Sequence, residues 1–179
     1  MKMEKNRSDK IITERLILRA AAASDLADIY EYVSDPQVAA QGGFSCCPTQ
    51  AAAMKFLKRL TGPTNWVIEE KKQLKVIGNI SLSETITKQH EADPSQQLLG
   101  YTLNAKFKNQ GYMTEAVAAI LQWARFYQIK EVQAVVAWEN IASQRVLEKN
   151  GFALQGIFEA PWGSQLTIKK FGFLKKIIK

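Results

Sequence analysis

The stretch IITERLILR, Ile11 to Arg19, alternates apolar and polar residues and predicts a strand. In SDLADIYEYVSDP, Leu26, Ile29, Tyr30 and Val33 recur on one helical face, with Ser24 the expected N-cap and Asp35-Pro36 the expected stop. CCPTQAAAMKFLKRLTGP predicts a second helix, opened by Pro48-Thr49 and closed by Gly62-Pro63. NWVIEE and KVIGNISLSE read as a hairpin around a Lys-Lys-Gln turn. TKQHEADPSQ reads as a polar loop, and QLLGYTLN as a strand with Leu99, Tyr101 and Leu103 on one face. A short polar loop then enters a helix running to about Ile129, whose buried stripe is Val117, Ile120, Leu121 and Ala124. EVQAVVAWEN is a continuous apolar run, as expected of a strand buried on both faces. ASQRVLEKNGF predicts a short helix ending on a left-handed Gly151. FALQGIFEA and SQLTIKKFGFLKK predict two closing strands around Pro161-Trp162-Gly163.

The order is strand, two helices, three strands, helix, strand, helix, two strands, which makes a mixed α/β sheet. Only the central strand–helix–strand unit demands a parallel pair. No repeat or linker divides the 179 residues, so residues 11–179 are expected to form one domain behind a polar leader, residues 1–10. The start, MKMEKNRSDK, lacks the apolar core of a secretory signal, and no apolar run approaches the ~20 residues of a membrane span. The adjacent Cys46 and Cys47 are therefore expected to be reduced thiols in a cytoplasm. Two cysteines and one distant histidine, His90, do not make a structural metal site, and a histidine-based triad would rest on that single loop residue.

A formal charge of +7 favours anionic partners. Much of the excess lies in KKFGFLKKIIK, which reads as a last strand with lysines on its open face. No recognition helix or aromatic RNA motif accompanies it, so direct nucleic-acid binding is not expected, although an RNA-facing domain is a rival reading. An exposed last strand would let two copies pair as a homodimer.

The chemistry concentrates in KNQGYMTEAVAAILQWARF, Lys108 to Phe126. The N–H groups of a helix's first turn have no partners within the helix, and with the helix dipole they form an anion site. Gly111 lets a ligand approach the backbone closely, and consecutive loop N–H groups can wrap a diphosphate. There is no G-K-[ST], so nothing grips a γ-phosphate and magnesium, and no G-x-G-x-x-G for a dinucleotide. A diphosphate held by backbone alone suits coenzyme A better than ATP or NAD. A plain strand-to-helix turn is the competing account. In WENIASQRVLEKNGF, Asn140 ends a strand and Ser143 opens the next helix three residues later. Asn140 can offer an amide to a pantetheine arm, and Ser143 a hydroxyl to a leaving thiolate; as isolated residues, both are also ordinary helix caps.

Together these stretches resemble the GNAT superfamily of acetyl-CoA-dependent N-acetyltransferases, most closely the RimJ/RimL-like branch that acetylates ribosomal-protein N-termini. The resemblance runs from TERLILRAAAASDLADIYEYVSDPQV through VIGNISL and LGYTLNAKFKNQGYMTEAV to NIASQRVLEKNGFALQG. The family's pyrophosphate motif, Q/R-x-x-G-x-G/A, falls on Lys108, Asn109, Gln110, Gly111, Tyr112 and Met113, with Thr114 next. Lys108 departs from Gln/Arg and Met113 from the small last residue. The resemblance implies a mostly antiparallel sheet splayed at one parallel pair and flanked by about four helices. It implies acetyl-CoA as co-substrate, with no metal. The strand ending at Leu103-Asn104 would part from the one ending at Trp138, and the acetyl carbonyl would take an N–H near Leu103 or Asn104, an oxyanion donor. Asn140 would hold the pantetheine, Ser143 would act as general acid, and Lys149 and Arg145 would reach the nucleotide phosphates.

The implied reaction is direct attack of a neutral primary amine on the thioester, which needs a proton acceptor. Glu84 and Glu159 lie near the expected substrate-side strand ends. Trp162 falls near the place where related ribosomal-protein enzymes carry a glutamate. The acceptor is expected to be a protein N-terminus, such as that of a ribosomal protein. The alternatives are a small amine (antibiotic, polyamine or amino acid) and a CoA-binding module without catalysis.

Overall fold

The computed structural model describes residues 10–86, 92–162 and 165–177. His90 and residues 1–9 of the expected leader lie outside the described residues. The chain folds as two compact units, residues 1–81 with 101–112, and residues 82–100 with 113–179.

In the first unit, β1 (Ile11–Ile12) and β2 (Leu16–Arg19) pair antiparallel, so the single strand expected over 11–19 is a tight hairpin. Thr13 breaks it: its Oγ1 accepts from Leu16 N at 3.0 Å, a local side-chain bond that competes with the extended ladder. Helix α1 is Leu26–Val33, entered through a 3-10 turn at Ala23–Asp25. Ser24 is not its cap. Asp25 stands at the N-cap, and its carboxylate instead accepts from Ala22 N at 2.8 Å and from both terminal nitrogens of Arg19. Arg19 Nε also reaches Glu69 at 2.6 Å, which ties β2 to helix entry and to β3 (Asn65–Glu70).

The pair Asp35-Pro36, read as a stop, also opens a helix absent from the sequence reading, α2 (Pro36–Gly42). Asp35 caps it by accepting from Gln37 N and Val38 N, while Pro36 loses nothing at N1, where an N–H has no helical partner. Helix α3 (Gln50–Arg59) opens at Thr49 as expected. The three helices pack Ile29, Tyr32, Val33, Val38, Ala53, Phe56 and Leu57 on Val67 of β3 and Val76 of β4 (Lys75–Ile86). The β3–β4 turn holds the expected Lys-Lys-Gln, capped by the buried carboxylate of Glu70, which accepts from Lys72 N and Gln73 N.

The second unit holds α4 (Tyr112–Phe126, from Met113 on), β6 (Glu131–Ala137), α5 (Ile141–Lys149), β7 (Ala153–Trp162) and β8 (Gln165–Lys176), with parts of β4 and β5 (Ala92–Leu103). Strand β5 begins within the segment read as a polar loop. Residues 92–96 are already extended there, and Gln96–Leu99 pair in parallel with Glu131–Ala134, with Lys130 N donating to Ser95 O at 2.9 Å. That parallel register ends at Leu99 and Ala134, although both strands continue. Strand β6 is not buried on both faces: Val132, Ala134 and Val136 are buried and their neighbours half-exposed. On α4, Val117, Ile120 and Ala124 are fully buried as expected, while Leu121 is only half-buried and Trp123 joins the core.

The eight strands run β1-β2-β3-β4-β5-β6-β8-β7, a mostly antiparallel order with the one parallel pair β5–β6, and five α-helices accompany them among the described residues. This makes a mixed α/β fold. The last strand is not an exposed edge: β8 pairs with β6 on one side and β7 on the other, so the expected route to a homodimer through it is closed. Cys46 and Cys47 are both free thiols. No described helix is long and apolar enough to cross a membrane.

A charge network ties α1 to β4 and to the segment after β5. Glu31 meets Lys75 and Lys106, each at 2.7 Å, and Lys75 also meets Asp28 at 2.9 Å. Hydrogen bonding from Lys106, then from Lys75, pulls the Glu31 pKa from 4.5 down to about 2. A carboxylate depressed in the folded state stabilises it fully above its unfolded pKa and loses that contribution as pH falls through the folded value. Wild-type stability should therefore decline between pH 4.5 and about 2 more steeply than that of Glu31→Gln. Chemical denaturation at stepped pH measures this; equal slopes would contradict the network's role.

Candidate functional site

The segment from Asn104 to Met113 is built in the first unit up to Tyr112. Asn104 directly follows β5, and its N–H donates to Ile77 O at 2.8 Å. Its side chain caps the next turn by accepting from Lys106 N at 3.0 Å. The buried Nδ2 of Asn104 makes no hydrogen bond. Strand β4 runs close alongside. A Cβ on Gly78 would come within 2.3 Å of Thr102 O, so only glycine fits there.

Past the 3-10 turn Ala105–Phe107, two residues adopt left-handed backbone: Asn109 at φ 61° and Gly111 at φ 82°. Asparagine tolerates this conformation better than other side chains, and glycine adopts it without steric cost. The two reversals turn the chain abruptly from strand to helix. A side chain begun at Gly111 would meet only Arg15 Nη2, at 3.4 Å, so no backbone stands in front of this residue. Helix α4 starts at once, at Tyr112, and its first-turn N–H groups have no intrahelical acceptors. The exposed Gly111, the left-handed turns and the helix start directly behind them fit a diphosphate held by main chain.

The side chains of this loop depart from expectation in an informative way. The Lys108 ammonium does not extend over the loop; it bonds Gln41 Oε1 of α2 at 2.6 Å. Gln110 is exposed and turns its amide back to Lys106 O at 3.1 Å. Met113 is buried, so the bulky departure from the family motif goes into the core and leaves the loop surface unchanged. The cation that does lie on the loop is Arg15, from the β1–β2 turn, with Nη1 on Gln110 O at 2.9 Å and Cζ 4.4 Å from the Tyr112 ring centre. Sequence reasoning missed it: as the polar member of an alternating strand, 95 residues from Gln110, it carried no local signal.

In the second unit, Asn140 is the N-cap of α5, and its Oδ1 accepts from Ser143 N at 3.1 Å. Ser143 is thus the third helical residue rather than the first, and capping belongs to Asn140. At the other end of α5, Gly151 takes the expected left-handed φ, 73°. There Asn150 Nδ2 bonds Thr114 O at 3.3 Å, which fixes α5 against the first turn of α4. Arg145 and Lys149 are exposed on α5. Glu84 is exposed on β4. Glu159 belongs to β7 and Trp162 ends it, and their side chains lie outside what the structure describes. Among the described residues no cluster of three or more His, Cys, Asp or Glu could hold a metal.

Residues 15–153 match the family model described as an acetyltransferase (GNAT) domain. The chain is 28% identical over 155 residues to the N-acetyltransferase YnaD of Bacillus subtilis (strain 168), covering 83% of this chain and 85% of that protein. Its fold is similar to a GNAT-family acetyltransferase from Bacillus anthracis, with a TM-score of 0.80 at 24% identity, covering 94% of this chain and 99% of that one. It is also similar to the ribosomal-protein-S5-alanine acetyltransferase from Vibrio fischeri, with a TM-score of 0.76 at 21% identity, covering 94% and 97%.

Gly111→Val should cost about 1–2 kcal/mol of stability through left-handed strain and lower CoA affinity by more than the tenfold that such an energy represents. Calorimetric titration beside thermal melting separates the two effects. Parent-like CoA affinity in the variant would remove the diphosphate from this loop.

Proposed function

The chain belongs to the GNAT acetyltransferase family, and from that premise we propose that it transfers the acetyl group of acetyl-CoA to a protein N-terminus, such as that of a ribosomal protein, in the cytosol. Its class is N-acetyltransferase, with acetyl-CoA as donor. The observation that carries the donor half is the left-handed Asn109 and Gly111 ahead of α4. The acceptor half is supported by the fold shared with the ribosomal-protein-S5-alanine acetyltransferase and by the +7 charge, which favours acidic protein surfaces over polycationic amines.

In this reading the diphosphate lies on the N–H groups from Gly111 to Thr114. Strand N–H groups alternate sides, so with Asn104 N–H given to Ile77, the neighbouring Leu103 N–H faces the opposite edge of β5. Leu103 is therefore the oxyanion donor of choice between the two. Asn140 spends its Oδ1 on capping and keeps its Nδ2 for a pantetheine carbonyl. Exposed Arg145 and Lys149 supply cations for the nucleotide phosphates. The amine nitrogen attacks the acetyl carbon, the tetrahedral oxyanion collapses, and the C–S bond breaks. The Ser143 hydroxyl gives its proton to the departing thiolate as a water of the open site returns one to its oxygen. The proton lost by the amine goes to Glu84 or Glu159, directly or through water, and the Glu→Gln variants test each.

The acceptor class is tested by following thiol release from acetyl-CoA with N-terminal peptides beside polyamines, aminoglycosides and free amino acids. Peptide acetylation is the expected result. Turnover of small amines alone would replace the acceptor, and CoA binding without thiol release would indicate a binding module.

Ser143→Ala should lower kcat about 10²–10⁴-fold, roughly 3–5 kcal/mol of barrier, with KM for acetyl-CoA nearly unchanged. The backbone N–H that Asn140 accepts survives this substitution, so the melting temperature should hold. A preserved kcat would remove Ser143 from the chemistry.

A further inference from the structure

We infer that Arg15 is a positioning residue for the loop, fixing the direction of the Gly111 N–H; this rests on the reading that the loop holds the CoA diphosphate. A trans peptide is planar, so its C=O and N–H point to opposite sides. Arg15 Nη1 holds Gln110 O at 2.9 Å, and the Gly111 N–H of that same peptide must point away from Arg15. Nothing else in the local sequence guarantees this orientation. Gly111, at φ 82°, tolerates either orientation of the preceding peptide far better than another residue would. A flipped peptide would aim a carbonyl oxygen at the anion in place of a donor, turning attraction into repulsion.

Arg15 holds the loop at two points. Its Nη1 donates to the carbonyl, and its Cζ lies 4.4 Å from the centre of the Tyr112 ring. That ring is itself packed against Phe107, with centroids 6.1 Å apart. The guanidinium therefore spans both sides of Gly111, from Gln110 to the first residue of α4. The platform beneath it is firm. Thr13 and Leu16 close the β1–β2 turn with bonds of 3.0 Å, and Arg15 O accepts from Lys71 N at 3.0 Å. The guanidinium presents several donors in a fixed planar fork, which a lysine ammonium, a compact point charge on a flexible stem, does not reproduce.

The test uses the full chain and two probes, CoA and pantetheine, the latter lacking the diphosphate. Dissociation constants are measured by titration for the parent, Arg15→Met and Arg15→Lys. The parent should prefer CoA. Both variants should lose about tenfold or more in CoA affinity, the scale of one hydrogen bond from a charged group, while pantetheine binding stays at the parent level. If Arg15→Met fails to fold, the lysine variant carries the test. Near-parent CoA affinity in Arg15→Lys overturns the inference, because charge alone would then suffice. An equal loss for both probes also overturns it, since Arg15 would then be a general structural support. If the parent prefers CoA and Arg15→Met binds it equally well, Arg15 is wrong and the loop reading stands. If the parent does not distinguish the probes, the loop reading falls and this inference with it.

Discussion

The proposed diphosphate site depends on a few backbone N–H groups that a helix start leaves without intrahelical partners. Helix geometry strands the donors at the entrance to α4, and the dipole adds partial positive charge there. A solvated helix end would satisfy them with water. Here two left-handed residues, Asn109 and Gly111, make the turn so abrupt that the donors are presented at a bare stretch of main chain. No lysine is needed inside the turn, and Lys108, the nearest, bonds α2 instead.

Such an arrangement works only if the donors keep their direction, because a loop free to reorient would lose affinity to ordering. The first unit answers this with several short bonds in a small space. Asn104 anchors the start of the loop to β4 and caps the turn that follows. Lys106 joins it to α1 through Glu31, and Arg15 fastens its far end. In the second unit α4 is held by its buried face, and Asn150 of the α5 end bonds the carbonyl of Thr114. Asn140 does similar work at α5: by capping it, Asn140 settles where the Ser143 backbone sits.

The same economy explains the two departures from the family motif. A small residue at the Met113 position would serve a loop surface that must stay clear. Met113 is buried at the base of α4, so its bulk is spent on the core, where a flexible thioether fills space well. Lys108 turns to Gln41 of α2, and the cation that meets the loop is Arg15, from another part of the chain.

Much was legible from the chain itself, because the signals are local. Periodicity located the principal elements apart from α2 and the break between β1 and β2, and the glycine beside the helix start in KNQGYMTEA marked the candidate loop, since donors near a helix end are a property of consecutive residues. Asn140 with Ser143 and the left-handed Gly151 were readable for the same reason. Where the reading failed, two local signals competed or a distant partner decided. Asp35-Pro36 ends one helix and caps the next, and sequence alone favoured the ending. Residues 92–96 look like a loop by composition, yet pairing with β6 makes Gln96 and its neighbours a strand. The lysine-rich last strand looks like an open edge until β7 and β6 enclose it. Arg15 is the plainest case. Its role requires Gln110 O and the Tyr112 ring at 2.9 and 4.4 Å, and a side chain and its target 95 residues apart in sequence meet only when the fold brings them together.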